Sequence, residues 1–365
     1  LGHVRGASHD HSRIIRRSYH TSAYVRLAAS AYDAWREVEA DADLTLITRT
    51  GGVDLFPANA AIDPRPYRNS LDANGVEYEW LDGDEVRRRW PAFTQGTLVD
   101  DAAFAIHSAA TGIVPANRGA ATLRRLAVEH GAELRANSPV LRVHPGQGEV
   151  EVVTVDGGGR PISVTCGSVV VCTDAWTNRL LEPLGHRVAM AVTREQVSYF
   201  PVRPAQRLDD LAVGRFPVWI WMDDPSYYGF PMHGPAEVAD RIKGSEDCGG
   251  PEIDPDTRGF DPDAGMEQRL GRFMADLLGD RFGRPKTTTC LYALTADRDF
   301  VVDRLPDHPE VVVGLGAAHG FKFAAWFGRV LADLALSGRR SADLVPFAID
   351  RSGLRRPIDR QAWLV

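Results

Sequence analysis

One segment leaves little freedom in how the chain folds: Glu310-Val-Val-Val-Gly-Leu-Gly-Ala-Ala-His-Gly-Phe-Lys-Phe323. Its apolar run reads as a buried strand. A loop carrying Gly314, Gly316 and Gly320 follows and opens directly into a helix that ends at Ser337-Gly338. Backbone N–H groups at such a helix start attract anionic or electron-rich ligand atoms, and glycines let a ligand approach the backbone closely. A second run, Ser168-Val-Val-Val-Cys172, reads as a strand buried on both faces of a parallel sheet. It leaves through Thr173-Asp174-Ala175-Trp176 into a short helix ending near Leu181.

Around these runs the pattern predicts an amphipathic helix over Tyr24 to Glu39, with Leu27, Tyr32, Trp35 and Val38 near one face. A strand over Leu44 to Thr48, a charged helix over Glu85 to Trp90 and a helix over Ala116 to His130 follow. Strands over Glu133 to Ala136, Val140 to Val143, Glu149 to Val155 and Ile162 to Thr165 read as a β-meander. The middle is different: aromatic strands over Val197 to Phe200, Val218 to Met222 and Tyr227 to Phe230, and one long helix, Ala264 to Leu277. Such a block reads as an antiparallel-sheet domain inserted between α/β pieces. The tail from Arg351 to Val365 is basic at first and reads as loosely held.

Composition excludes several roles. The 365 residues carry 42 Lys plus Arg and 49 Asp plus Glu, a net charge of −7. That balance argues against a nucleic-acid surface and a polybasic membrane anchor. No apolar run approaches the ~20 residues of a membrane span, and no signal-peptide core is seen. A cytoplasmic location is the expectation. Cys166, Cys172, Cys248 and Cys290 lack metal-type spacing and are too few for a disulfide scaffold, so no metal site is expected. Only three of the basic residues, Lys243, Lys286 and Lys322, are lysine. Such a bias is more often a genome-composition habit than a structural one, but it makes each lysine worth weighing as a place where a compact or titratable charge is needed.

On the residues alone, each candidate keeps a plain structural reading. His319 and Lys322 flank the glycine turn as a capping histidine and a solvated lysine, although a cation at a helix start is unfavourable unless an anion lies nearby. Cys290 reads as a small buried hydrophobe. Arg13 and Arg16, if helical, share a face and grip a carboxylate or phosphate; otherwise they belong to a solvated basic turn, as does Lys243 in its loop Arg241-Ile-Lys-Gly.

Taken in order, the motifs resemble those of the flavoprotein amine oxidases typified by monomeric sarcosine oxidase and N-methyltryptophan oxidase. The run Gly6-Ala-Ser-His-Asp-His-Ser-Arg-Ile-Ile-Arg16 opens the similarity, followed by Gly112-Ile-Val-Pro115, Val171-Cys-Thr-Asp-Ala-Trp176 and Tyr227-Tyr-Gly-Phe-Pro231. Ile253-Asp-Pro-Asp-Thr257, Cys290-Leu-Tyr292, Asp299-Phe-Val-Val-Asp303 and His319-Gly-Phe-Lys-Phe323 complete it. The resemblance implies an α/β (α+β overall) fold, with a Rossmann-like FAD-binding domain over 1–20, 105–186 and 293–365. An antiparallel-sheet substrate domain takes 21–104 and 187–292. It implies FAD held by a thioether at Cys290, with His9, Ser12, Val140, Thr173, Trp176, Gly316, Gly320 and Lys322 near the cofactor. Arg16 and Lys322 are implied to hold the substrate carboxylate, with Tyr228, Tyr292, His319 and Asp247 lining the substrate cavity. Lys243 is implied to promote reaction with oxygen, with Arg13 beside the flavin. The implied chemistry is hydride transfer from a secondary amine or N-methyl amino acid to FAD, imine hydrolysis, and reoxidation by O2 to hydrogen peroxide, in a monomer.

The sequence departs from that pattern in four places. Nothing precedes Leu1, where relatives carry a strand and a Gly-x-Gly-x-x-Gly turn for the FAD pyrophosphate. A fragment of a protein of about 400 residues is therefore expected; a non-catalytic remnant is the alternative, as is a dehydrogenase that uses another acceptor. Asp174 and Ala318 stand where relatives have glycine. Asp247 falls where relatives often carry histidine, so the added carboxylate is expected to select a cationic or larger amine, or to repel an amino-acid carboxylate.

Overall fold

The computed structural model describes residues 4–203 and 209–358. Its largest sheet has eight strands in the order β15-β11-β14-β13-β12-β3-β5-β4. These are β3 (Gly52–Phe56), β4 (Glu79–Asp82), β5 (Phe104–Ser108), β11 (Met190–Pro201), β12 (Val218–Trp221), β13 (Tyr227–Phe230), β14 (Arg241–Glu246) and β15 (Lys286–Thr295). All neighbours are antiparallel except β3 and β12, which run parallel.

Strand alternation gives this sheet two different faces. Trp219, Trp221, Tyr227 and Ile242 pack under helix α6 (Ala264–Leu278) through Leu270, Phe273 and Met274. Asp263 caps that helix, its Oδ1 accepting from the N–H of Met266 at 2.9 Å. Ile220, Tyr228 and Phe230, one residue out of phase, turn the other way and line a cavity.

Three small sheets complete the molecule. β1 (Arg13–Ile15), β6 (Gly112–Val114) and β2 (Thr48–Arg49) form one, in the order β1-β6-β2. β7 (Arg142–Pro145), β8 (Val150–Val155) and β9 (Pro161–Cys166) form the expected antiparallel meander. β10 (Val169–Val171), β17 (Val311–Leu315) and β16 (Val301–Arg304) form the third, with β10 and β17 parallel. Helix α1 (Ser22–Ala42), seeded by Thr21, buries Tyr24, Leu27 and Trp35 and packs against α7 (Ala324–Ser337). Helices α2 (Arg65–Ala73), α3 (Gly83–Arg89), α4 (Ala116–Glu129) and α5 (Thr177–Leu181) fill the connections.

Several expectations need correction. Leu44–Ile47 is not strand: Glu39 Oε1 accepts from the N–H groups of Leu46 and Ile47, at 2.6 and 2.7 Å, where a strand would have supplied partners. Residues 133–136 pair with no strand among the described residues and run exposed, Arg135 bonding only to Glu133 two residues before it, at 2.7 Å. β10 is not buried on both faces: it lies at the edge of its sheet, and Val170, on one face, is 40% exposed. Arg13 is in a strand, not a helix. The helix after the glycine loop begins one turn late, at Ala324, behind a 3-10 turn over Gly320–Phe323. Lys243 sits in β14 rather than in a loop, and is buried. The tail is anchored at its start, where Arg351 pairs with Asp297 at 2.7 Å, and residues 359–365 lie outside the described residues. As for grouping, the boundary at 104/105 falls inside β5, and α1, assigned to the substrate unit, packs on α7 of the other.

Candidate active site

The cavity of about 540 Å³ lies between the eight-stranded sheet, β1 and the glycine loop. Of the residues singled out in the sequence, Arg13, Arg16, Tyr228, Asp247, Tyr292, Gly316, His319, Gly320 and Lys322 line it. The loop closes on itself: a Cβ added at Gly316 would stand 2.8 Å from Gly320 Cα. Ala318 adopts φ +72° and Asp174 φ +46°, left-handed conformations that favour glycine, as the two departures from the family pattern foreshadow.

Behind the wall lies a buried ionic network. Along β14, Lys243 and Ser245 share the site face, while Ile242, Gly244 and Glu246 turn to α6. Lys243 Nζ donates to Asp10 Oδ2 at 2.5 Å, to Ser12 O at 2.9 Å and to Ser12 Oγ at 3.1 Å. Arg13 Nη1 reaches the same Asp10 oxygen at 3.1 Å, and the Tyr199 hydroxyl donates to the other. Burial pushes the Asp10 carboxyl up, but the charges of Lys243 and Arg13 outweigh it and hold it well below the usual range. Burial lowers Lys243 to about 8, Asp10 opposing. Cys290 is buried beside this network, its thiol pushed up to about 12 by burial. His9 is also buried, lowered to about 4 by burial and then by Arg13, so its ring is neutral.

At the other end, Arg16 is held by Asp54 at 3.2 Å, both buried. Lys322 Nζ makes no hydrogen bond among the described residues, and burial together with Arg16 lowers it to about 7. The hydroxyls of Tyr228 and Tyr292 stand 3.3 Å apart. His319 Nε2 faces the carbonyl of Arg298 at 3.2 Å, and burial holds the ring neutral.

Lys243, His9, Ser12 and Cys290 lie behind the cavity wall rather than in it, and three further positions join neither the wall nor the network behind it. Val140 is 41% exposed on the strandless stretch before β7. Trp176 Nε1 donates to Asp256 at 2.8 Å, and Thr173 Oγ1 lies 3.4 Å from Thr177 Oγ1. Sequence reasoning missed Asp10, Asp54, Tyr199 and Arg298. Only Asp10 had a signal, its place in the polar run between His9 and His11; its partner in β14 lies 233 residues away.

The residues present suit a planar ring with hydrogen-bonding edges. His9 Nε2, His319 Nδ1 and Asp174 Oδ2 are buried with no hydrogen-bond partner among the described residues, and His319 and Asp174 line the cavity. An apolar cavity with a few unsatisfied polar atoms and a glycine loop is a cofactor pocket in kind.

Fold and site together define an FAD-dependent oxidoreductase: the chain belongs to the FAD dependent oxidoreductase family, DAO, matched over residues 2–334. Within that family it is similar to monomeric sarcosine oxidase of Streptomyces avermitilis, 34% identical over 346 residues, covering 92% of this chain and 85% of that one. It is 30% identical over 363 residues to peroxisomal sarcosine oxidase of Homo sapiens, covering 96% and 87%. Among solved structures, the open form of NikD, an unusual amino acid oxidase, superposes with TM-score 0.79 at 25% identity, covering 95% of this chain and 88% of that one.

Proposed function

We propose that the chain oxidises a secondary amine or N-methyl amino acid of the sarcosine type, with FAD as hydride acceptor and O2 as final oxidant, releasing an imine that water hydrolyses and hydrogen peroxide. One observation carries this reading: Arg16 and Lys322, whose Nζ lies over the Tyr19 ring but has no hydrogen bond among the described residues, stand together in the wall of a largely apolar cavity. A carboxylate there completes the lysine's hydrogen bonds and fixes the neighbouring C–H bond in one orientation, an entropic gain for the reaction. Asp54 keeps the Arg16 guanidinium in place for that contact. The apolar lining excludes water from the reacting carbon. When bound, FAD supplies the two-electron chemistry. His9, Ser12, Gly316 and Gly320 would hold its ring, with Cys290 as the point of attachment. Lys243 and Arg13 would stabilise negative charge developing next to it.

A second reading, a dehydrogenase passing electrons to another acceptor, has its own support. Asp10 at 2.5 Å compensates the Lys243 charge that an oxygen reaction would draw on. Stoichiometric peroxide from substrate and air supports the oxidase; turnover that needs an artificial dye supports the dehydrogenase.

The covalent link is checked by colour. The purified chain is expected to stay yellow through acid precipitation, and Cys290→Ser to release its flavin into the supernatant. A colourless wild-type chain sinks the flavoenzyme reading in favour of a non-catalytic remnant. Among the described residues no helix is long and apolar enough to cross a membrane. Similarity to monomeric sarcosine oxidases supports a monomer, and the cysteine usage supports a cytoplasmic location.

A further inference from the structure

Asp247 follows directly on β14 and lines the cavity. Its backbone is fixed, the N–H donating to the carbonyl of Ser226 at 2.9 Å. Its carboxylate is poorly served. Among the described residues the one hydrogen bond it accepts comes from the Cys248 thiol, at 3.6 Å and therefore weak. The corner is nonetheless rigidly specified. Cys248 and Arg298 both take left-handed conformations, φ +57° and +64°, and Arg298 Nη1 reaches Cys248 Sγ at 3.1 Å. Residues hold such conformations only where their surroundings over-determine them.

The charges around this carboxylate are Arg298, Lys322 and Arg16, and burial works against its ionised form. Arg16 is matched by Asp54. A ligand that brought only a carboxylate would add a second anion beside Asp247. One that brought a carboxylate and a cation together would offer Asp247, which has cations around it but accepts only the weak thiol hydrogen bond among the described residues, a direct partner inside the cavity.

We propose that Asp247 holds the cationic nitrogen of the substrate, so that the cavity receives amino acids as zwitterions rather than as simple carboxylates. This rests on the assignment of Arg16 and Lys322 to the carboxylate. It makes Asp247 a specificity-determining residue and narrows the substrate class to N-substituted amino acids with the ammonium next to the carboxylate. A simple amine without a carboxylate leaves Lys322 unsatisfied; an uncharged acid leaves Asp247 unsatisfied.

Two ligands of nearly the same shape separate these cases: trimethylglycine, whose quaternary nitrogen is positive, and 3,3-dimethylbutanoate, with carbon in its place. Both are titrated into the flavin-loaded full chain by calorimetry and by the perturbation of flavin absorbance. The wild type is expected to bind trimethylglycine about tenfold more tightly or better, as one ion-pair contact without a hydrogen bond implies. In Asp247→Asn the preference is expected to shrink to about twofold or less, mainly through weaker trimethylglycine binding. Equal wild-type affinities overturn the proposal whether or not the variant folds, as does a preference that survives in Asp247→Asn. If neither ligand binds, the carboxylate site itself is wrong, and the proposal falls with it. Lys322→Met separates the two readings, because it should weaken both ligands alike and leave their ratio intact.

Discussion

At the scale of the residue, the cavity's behaviour turns on a few buried charges. Lys322, lowered to about 7 by burial and by Arg16, is cationic below that pH and neutral above it. Substrate capture through a carboxylate needs the cation. We therefore expect kcat/KM for a carboxylate-bearing amine to fall as pH rises through about 7. In Lys322→Arg the fall should move well above pH 9, since a guanidinium stays charged. Lys322→Met should raise KM on the order of a hundredfold through loss of a charge-assisted contact. A pH profile indifferent to both substitutions would remove Lys322 from substrate binding. Asp174 gives a stability counterpart. Burial raises its carboxyl from 3.8 to about 6, so the folded state holds the proton more tightly than the unfolded one. Its cost is absent below the unfolded value, accrues as pH rises through that interval, and is complete above about 6. Asp174→Gly, which also relieves φ +46°, should raise the melting temperature at pH 8 by more than at pH 4.5, with about 2 kcal/mol between the two.

At the scale of the element, β13 and β14 deliver Tyr228, Lys243 and Asp247 from one face of one sheet. Their spacing depends on Gly229. A Cβ there would come within 2.3 Å of the Trp219 ring and 2.6 Å of the Lys243 carbonyl, and the register Gly229↔Gly244 leaves no room to retreat. Gly229→Ala is expected to cost about 1–3 kcal/mol, read as a lower denaturation midpoint, while Gly271→Ala, in open space on α6, should be neutral or stabilising. The same elements show what a sequence can and cannot announce. α1, α4 and α6 were legible because their apolar residues keep helical spacing and their ends carry turn or cap residues. β14 was not, because both of its faces are covered and Arg-Ile-Lys-Gly-Ser-Glu alternates in nothing that reads as strand. Leu44–Ile47 looked like a strand and is instead capped by Glu39, a contact that composition cannot reveal.

At the scale of the whole molecule, the site is an assembly of distant pieces: β1 near one end of the chain, β13–β15 in the middle, and the glycine loop near the other end. Motif resemblance placed nine of its wall residues, since a motif survives as local spelling. It did not reveal Asp10 or Asp54, whose roles exist only once strands far apart in sequence are side by side. Val140 lies apart from the cavity, 41% exposed in a stretch that touches β8 only through single hydrogen bonds such as Leu141 N–H to the Val153 carbonyl at 2.8 Å. Trp35 of α1, fully buried, donates its indole N–H to the carbonyl of Lys322 at 2.8 Å, and its ring lies 6.0 Å from Phe321. An indole bonded to the backbone of the substrate-gripping turn is a built-in optical reporter. Its emission should shift or quench when a carboxylate draws on Lys322, and the difference spectrum between wild type and Trp35→Phe would isolate that signal. Ligand occupancy could then be followed by light in a chain whose turnover need not be running.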